Sequence, residues 1–359
     1  MEHSNILLES WSPVCNIQAV VEETNQNCYL YLWFFPGTDN AFVKSCWICN
    51  TNGAPKKLDV DGMQNGIAPS MPEEYVLHDP KGMRLDADSL DLVWFEEGDA
   101  AALLCDDDLI CVIPGWSGFN GFMGYSAFAK GMSPLAWELT QAMPLLSERV
   151  ARSKEYWAGF DLDGEYWNVA QKQHIEVLNT FFGAYRKYYA IDDGEFPPKA
   201  LVTGEQDEIC YCITAGVSLL AMPTVEQYYY DYPNDFRRVE IGYATVKKYE
   251  GSMQPMLSYI SSITNIPWDE VTFLGHGHTI PFQGITGYSA VWLLNAELLE
   301  TIDTPKYPQI NGERINLLWL VPLRDSEYEW IKEHSSEEAL KRCKKAHREL
   351  IVFDGEGIL

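Results

Sequence analysis

"INLLWLVPLRDSEYEWIKEHSSEEAL", Ile315 to Leu340, changes character partway along. Ile315 to Pro322 is an apolar run of strand length. Beyond it two capping-box patterns, Ser326 with Glu329 and Ser335 with Glu338, each open a helix, the serine hydroxyl answering an N-terminal N–H and the glutamate answering back. A strand that feeds directly into two helices sets the reading of the second half of the chain, where strand and helix signals alternate. "EICYCITA" (Glu208 to Ala215), "RVEIGYAT" (Arg238 to Thr245), "VTFLG" (Val271 to Gly275) and "YSAVWLLN" (Tyr288 to Asn295) read as further strands. In "RVEIGYAT" Val239, Ile241 and Tyr243 fall on one face at period two, which predicts one buried side. Met253, Met256, Leu257, Ile260 and Ile263 predict a helix ahead of "VTFLG".

Upstream, Trp167, Ala170, His174, Leu178, Phe181, Tyr185 and Tyr188 recur at steps of three and four and predict one buried helical stripe. His174 on that stripe reads as a hydrogen-bonded core histidine. Asp163 in "FDLDGEYW" is the N-cap candidate for that helix, and the turn marks a boundary between domains 1–160 and 161–359. Before it the chain is mainly β: "CYLYLWFF" (Cys28 to Phe35), "FVKSCWIC" (Phe42 to Cys49), "LDLVWF" (Leu90 to Phe95), "AAALLC" (Ala100 to Cys105) and "LICVIP" (Leu109 to Pro114), with Asp106 to Asp108 as a hairpin tip. Ser133 as N-cap and Pro134 behind it predict a helix that Pro144 interrupts before a second segment ending near Trp157. The fold class expected is α+β: two domains, each a mixed or mainly antiparallel sheet packed with helices.

Composition narrows the function. The chain has 359 residues, 47% of them hydrophobic, with 12 Trp and 20 Tyr, enough apolar surface for two cores. The N-terminus carries no basic, apolar leader, and no stretch nears the roughly 20 apolar residues of a membrane helix. Nine scattered cysteines fit reduced thiols. A soluble, cytoplasmic protein is expected. The net charge of −26, from 52 acidic against 26 basic residues, repels nucleic acid and anionic lipid and attracts a basic partner.

Several motifs invite chemistry. In "FLGHGHTIPF", His276 and His278 stand two apart; on an extended backbone both side chains point one way and offer two ligands to a metal. A third ligand is not visible, and a glycine-rich turn explains the pattern as well. "CWIC", Cys46 to Cys49, has redox spacing but lies in a strand-like run, so core cysteines are expected. "GWSGFNGFMGY" holds Trp116, Phe119, Phe122 and Tyr125 among glycines, which reads either as a recognition rim or as an anchored surface loop. "TVEQYYYDYPNDFRRVE" offers Tyr228, Tyr229, Tyr230, Tyr232, Arg237 and Arg238, a mixture interfaces favour, or equally a packed seam whose arginines meet carboxylates. "KRCKKAHR", Lys341 to Arg348, is the one dense basic run and suits the end of the last helix. No nucleophile elbow, Walker loop or dinucleotide fingerprint is present.

The stretch "LLWLVPLRDSEYEWIKEHSSEEAL", with "LVTGEQDEICYCITAGVSLLAMP", "RVEIGYAT", "GHGHTIPF" and "YSAVWLLN" upstream, resembles the suppressor-of-fused-like (SUFU) domain over about residues 170 to 345. The resemblance implies a non-enzymatic, intracellular α+β domain that binds protein: its bacterial members are regarded as immunity proteins of toxin systems, and its animal member holds a transcription factor through an extended peptide. No family binding residue maps onto an identifiable position, and residues 1–160 resemble no family. The function expected is a cytoplasmic protein-binding protein, an immunity protein that neutralises a basic toxin, with no catalytic residue, cofactor or metal. Its contact residues would be Trp116, Phe119, Phe122, Tyr125, Tyr229, Tyr230, Arg237, His276 and His278. Its partner would be a protein or extended peptide, not nucleic acid or membrane. The alternatives are a regulatory scaffold that adds a peptide strand at an open sheet edge, and a metal-assisted hydrolase using His276 and His278.

Overall fold

A computed structural model describes residues 4–160, 165–192, 194, 198–299, 303–346 and 348–359. The chain divides into two compact units: residues 1–161 with the short segments 226–228 and 268–271, and residues 162–225, 229–267 and 272–359. The helices in chain order are α1 (Val60–Gln64), α2 (Met143–Phe160), α3 (Glu165–Phe182), α4 (Val225–Tyr228), α5 (Met253–Ile263), α6 (Ile266–Asp269), α7 (Ala296–Leu299), α8 (Asp325–His334) and α9 (Ser336–Lys345). None is long and apolar enough to cross a membrane among the described residues.

The first unit contains two sheets. β1 (Asn5–Trp11), β2 (Ile17–Glu23), β3 (Asn27–Phe34) and β4 (Phe42–Asn50) form an antiparallel meander. β5 (Leu90–Trp94), β6 (Ala101–Cys105), β7 (Asp108–Ile113), β8 (Tyr125–Ser126) and β9 (Trp137–Glu138) form the second sheet, with β8 and β9 parallel. Asp106 and Asp107 both take positive φ at the β6–β7 hairpin tip, a conformation aspartate tolerates better than most residues. Leu146 and Val150 of α2 pack on Val93, Phe95, Ala102 and Leu104, and Arg149 pairs with buried Glu97 at 2.8 Å while covering the Phe95 ring.

The second unit is built on one eight-stranded mixed sheet. Its strands are β10 (Lys187–Ala190), β11 (Ala200–Gln206), β12 (Ile209–Ala215), β13 (Arg238–Val246), β14 (Thr279–Pro281), β15 (Ala290–Asn295), β16 (Ile315–Leu323) and β17 (Val352–Phe353). The spatial order is β10-β11-β12-β13-β16-β15-β14, and β17 also pairs with β13. β13 runs parallel to β16 and β17, and the other pairs are antiparallel. On one face Tyr211, Ile213, Trp292, Leu317, Trp319 and Val321 meet Leu178 of α3, Ile331 of α8 and Cys343 of α9. The amphipathic α5 contacts β12 and β13, burying Met256, Ile260 and Ile263, each a contribution of about 1.5–3 kcal/mol.

The architecture is α+β, and several local expectations are corrected. Both sides of β13 are buried, not one: sheet centres covered on both faces read as continuous burial, and Arg238 and Glu240 are inside because each is paired. "VTFLG" is not a strand; Thr272 N–H closes on the Pro267 carbonyl and the segment runs on into a turn. Residues 133–142 are not helical: the Ser133 hydroxyl donates to the Ala136 carbonyl, and Trp137–Glu138 pairs with β8 instead. Pro144 lies in the first turn of α2, where its missing N–H costs nothing. The predicted stripe holds at Ala170, His174 and Leu178, but α3 stops at Phe182, so Tyr185 and Tyr188 lie beyond it and are exposed. The Asp163 cap lies outside the described residues. The α8 cap sits two residues earlier than expected, with Arg324 N–H donating to Glu327 at 2.8 Å; the Ser335 cap is as expected, accepting from Glu338 N–H.

Cys46 and Cys49 are fully buried in β4, Cys28 and Cys49 stand opposite one another across β3 and β4, and all nine cysteines are free. The hydrogen bond with Cys49, together with burial, pushes the Cys28 thiol up, and burial first does the same to Cys111. These are inert core thiols.

Candidate functional site

The two histidines occupy a turn, which removes the extended geometry that would aim both at one metal. His278 N–H donates to the Gly275 carbonyl at 3.2 Å, and Gly277 between them has φ +89°, the third position of a turn that demands a residue free to adopt positive φ. Gly277 N–H donates to the Leu293 carbonyl at 2.7 Å, and Trp292 Nε1 donates to both the Gly277 carbonyl and the Ser336 hydroxyl. The turn is thereby fastened to β15 and to the start of α9. A Cβ on Gly277 would stand 2.9 Å from Ser336 Oγ, so Gly277→Ala meets both strain and a collision. A loss of about 1–3 kcal/mol is expected, read as a lower urea midpoint with an unchanged slope.

His276 Nδ1 accepts from Asn295 N–H at 3.0 Å, which leaves Nε2 as the protonated nitrogen of a neutral ring. Burial, and then the neighbouring His278, hold His276 below the usual imidazole range; burial does so for His278, against a backbone hydrogen bond at Phe273. Among the described residues no group of three His, Cys, Asp or Glu side chains is placed to hold a metal, so the pair lacks a third ligand. The rings pack instead: His278 lies 5.0 Å from Phe273.

Phe273 joins this turn to the tyrosine loop. Tyr229 stacks on Phe236 at 4.0 Å and meets Phe273 edge-on at 5.7 Å, and Tyr229, Phe273 and His276 line one shallow apolar pocket with Leu274 and Asn295. Of the residues singled out from sequence, Tyr229, His276 and His278 are therefore brought together. Arg237 is not available to a partner as drawn from sequence: it is 5% exposed, beside Glu313. Tyr230 and Tyr232 do reach solvent, at 77% and 69% exposure.

The glycine-aromatic loop of the first unit divides in the same way. Phe122 is buried between Tyr125 and Trp137, at 4.9 and 4.8 Å, and Trp116 hydrogen-bonds the Tyr125 hydroxyl, so three of the four aromatics hold the loop to its own sheet. Gly124 is required because a Cβ there would stand 2.6 Å from the Val112 carbonyl. Phe119, at the tip, is 59% exposed.

Two buried ionic networks sit beside the sheet centre. Glu240 accepts from Gly216 N–H (3.0 Å), Ser218 N–H (3.1 Å), the hydroxyls of Ser218 (2.6 Å) and Thr214 (2.5 Å), and lies 3.2 Å from His174 Nε2. His174 donates from its other nitrogen to the Ala170 carbonyl, as the core histidine expected. Burial opposes both charges most strongly, yet the pair outweighs it, raising His174 and lowering Glu240. Arg238, fully buried, binds Glu313 at 2.7 Å and the carbonyls of Ser218 and Leu219. With these donors and acceptors engaged inside the fold, they act as structural ions.

One surface feature was not read from sequence. β10 is an edge strand whose four residues are all exposed and which pairs only with β11 among the described residues. Ile191 N–H donates inward to the Lys199 carbonyl, so antiparallel alternation directs the N–H and C=O of Tyr188 and Ala190 outward. Gly183, at φ +85° just past α3, was the available signal: a glycine there ends a helix, which frees "KYYA" to be read as β. The opposite edge is obstructed, since β14 ends in Pro281 and its carbonyl is taken by the Tyr259 hydroxyl.

A search of curated proteins gave no match. Among solved structures, a chain of "the Sufu-Fu complex crystal structure" aligns with a TM-score of 0.33 and 15% identity, covering 48% of this chain and 82% of that one. Residues 198–354 match the family model described as "Suppressor of fused protein (SUFU)", from β11 through β17. The second unit of this chain therefore carries a SUFU-like domain.

Proposed function

We propose that the chain is a non-catalytic protein-binding protein that takes up an extended, basic segment of its partner along the open edge at β10. The observation that carries this reading is the edge itself: Lys187–Ala190 is exposed throughout and, among the described residues, joined to a sheet on one side only. Outward N–H and C=O groups give main-chain affinity to any extended chain, and side chains alternating above and below, Tyr188 and Tyr189 here, give it selectivity. The presence of a SUFU-like domain supports a binding role. The charge of −26 supports a basic partner, whose encounter it would speed and whose complex salt would weaken. Neutralising a toxin, as an immunity protein does, is the specific role we assign.

Peptide display against the full chain tests the binding mode. Extended Lys/Arg-containing sequences are expected, and Ala190→Pro should abolish their capture while leaving the inner ladder intact, because the Ala190 N–H points outward. Capture that survives Ala190→Pro in a folded protein contradicts it. Co-expression with a basic toxin encoded beside this chain tests the role: growth should be rescued by the wild type and lost with Ala190→Pro.

A further inference from the structure

Where α3 ends against the sheet, Phe181, Phe182, Ile209, Tyr211, Trp319 and Ile351 line a cavity of about 200 Å³. Its walls are rings: Phe182 stacks on Tyr211 at 4.2 Å and meets Trp319 edge-on at 6.5 Å. Two polar atoms belong to those walls, the Tyr211 hydroxyl and Trp319 Nε1, on residues 1% and 4% exposed, and neither has a hydrogen-bond partner among the described residues. A buried donor left unmade costs about 1–3 kcal/mol. Both belong to residues that line the same cavity. The neighbouring strands accommodate the rings with glycine, Gly204 beneath Tyr211 and Gly242 beneath Trp319.

We propose that this cavity binds an uncharged, planar, mostly apolar small molecule carrying a carbonyl oxygen, which accepts hydrogen bonds from Tyr211 and Trp319. Ring walls with a few polar groups are the usual chemistry of small-molecule pockets. Both orphaned atoms can donate, and the indole N–H can do nothing else, so the complement is an acceptor. Burial pushes the Tyr211 phenol up to about 12, which keeps it a donor at neutral pH. Among the described residues the lining includes Asp303 but no lysine or arginine, which disfavours an anionic ligand. This site shares no residue with the β10 edge, and its failure leaves the protein-binding reading untouched.

The test uses the full chain and the neutral naphthyl ketone 6-propionyl-2-(dimethylamino)naphthalene, whose emission reports an apolar, hydrogen-bonding site. Saturable, blue-shifted emission at one equivalent is expected. Tyr211→Phe and Trp319→Phe should each weaken binding a few-fold to about tenfold, the worth of one hydrogen bond. Ala244→Phe, which fills the cavity from β13, should abolish it. In the absence of probe, Tyr211→Phe should leave the unfolding temperature unchanged or raised. The proposal is overturned by emission that does not saturate, by affinity indifferent to both conservative variants, or by a Tyr211→Phe protein several degrees less stable, which would show that the hydroxyl is already satisfied.

Discussion

Glu313→Ala should lower the unfolding free energy by about 3–5 kcal/mol, the usual result of taking one partner from a buried ion pair. Arg238 is fully buried, and Glu313 meets its Nε at 2.7 Å with Arg237 alongside. Two carbonyls would still solvate the Arg238 guanidinium after the change, but the Glu313 carboxylate at its Nε would be gone. The cost is thus the desolvation of a cation whose neutralising carboxylate is gone, not the worth of the pair itself. Arg238→Met combined with Glu313→Leu should recover most of the loss, since an apolar pair of similar volume needs no counter-charge. Urea unfolding of the three variants measures both effects. A loss under about 1 kcal/mol for Glu313→Ala would show that the arginines are held by their other contacts, contrary to the ranges seen for buried pairs.

Glu240→Ala should be nearly as damaging, because one carboxylate terminates four donors and the His174 ring. The pH dependence separates this pair from ordinary packing. His174 is raised above its usual 6.5, so its contribution is full below that value and is lost as pH rises through the folded-state pKa. Glu240 is lowered below its usual 4.5, so its contribution is present above that value and is lost as pH falls through the depressed one. The wild type should therefore be most stabilised by the pair between the two usual values and should weaken on the alkaline side as the imidazole gives up its proton. His174→Gln should flatten that alkaline limb and also move the acid one to higher pH, because His174 is the chief group holding Glu240 low against burial. An unchanged alkaline limb would mean that His174 is neutral throughout.

The strands of the second unit were legible where apolar runs were long, as in Ile315–Leu323 and Ala290–Asn295, because a run buried on both faces leaves no other place for those residues. β13 was half legible. Its period of two gave the Val239 face correctly, but the other face, with Arg238 and Glu240, looks polar until their partners Glu313 and His174 are known, and those come from 75 residues ahead and 66 residues behind. The Ser-Pro start at 133 misled because a serine hydroxyl also serves turns, and here it turns back on Ala136. The candidate contact surface was legible only by residue type. Aromatic loops look alike whether their rings face a partner or their own domain, and here Phe122 and Tyr125 pack on each other and Tyr229 on Phe236. Tyr188 was misassigned to a helix because three-and-four spacing continued past Gly183, and so the edge strand that became the candidate site was hidden in an apparent stripe.

Backbone amide exchange across Lys187–Ala190, with the full chain free and then saturated with a display-selected basic peptide, tests the central claim most directly. The outward amides of Tyr188 and Ala190 should exchange quickly in the free protein and slow by tenfold or more on binding, as they acquire partners from the added strand. Protection confined to other segments, with Tyr188 and Ala190 exchanging as before, would contradict an edge-binding protein.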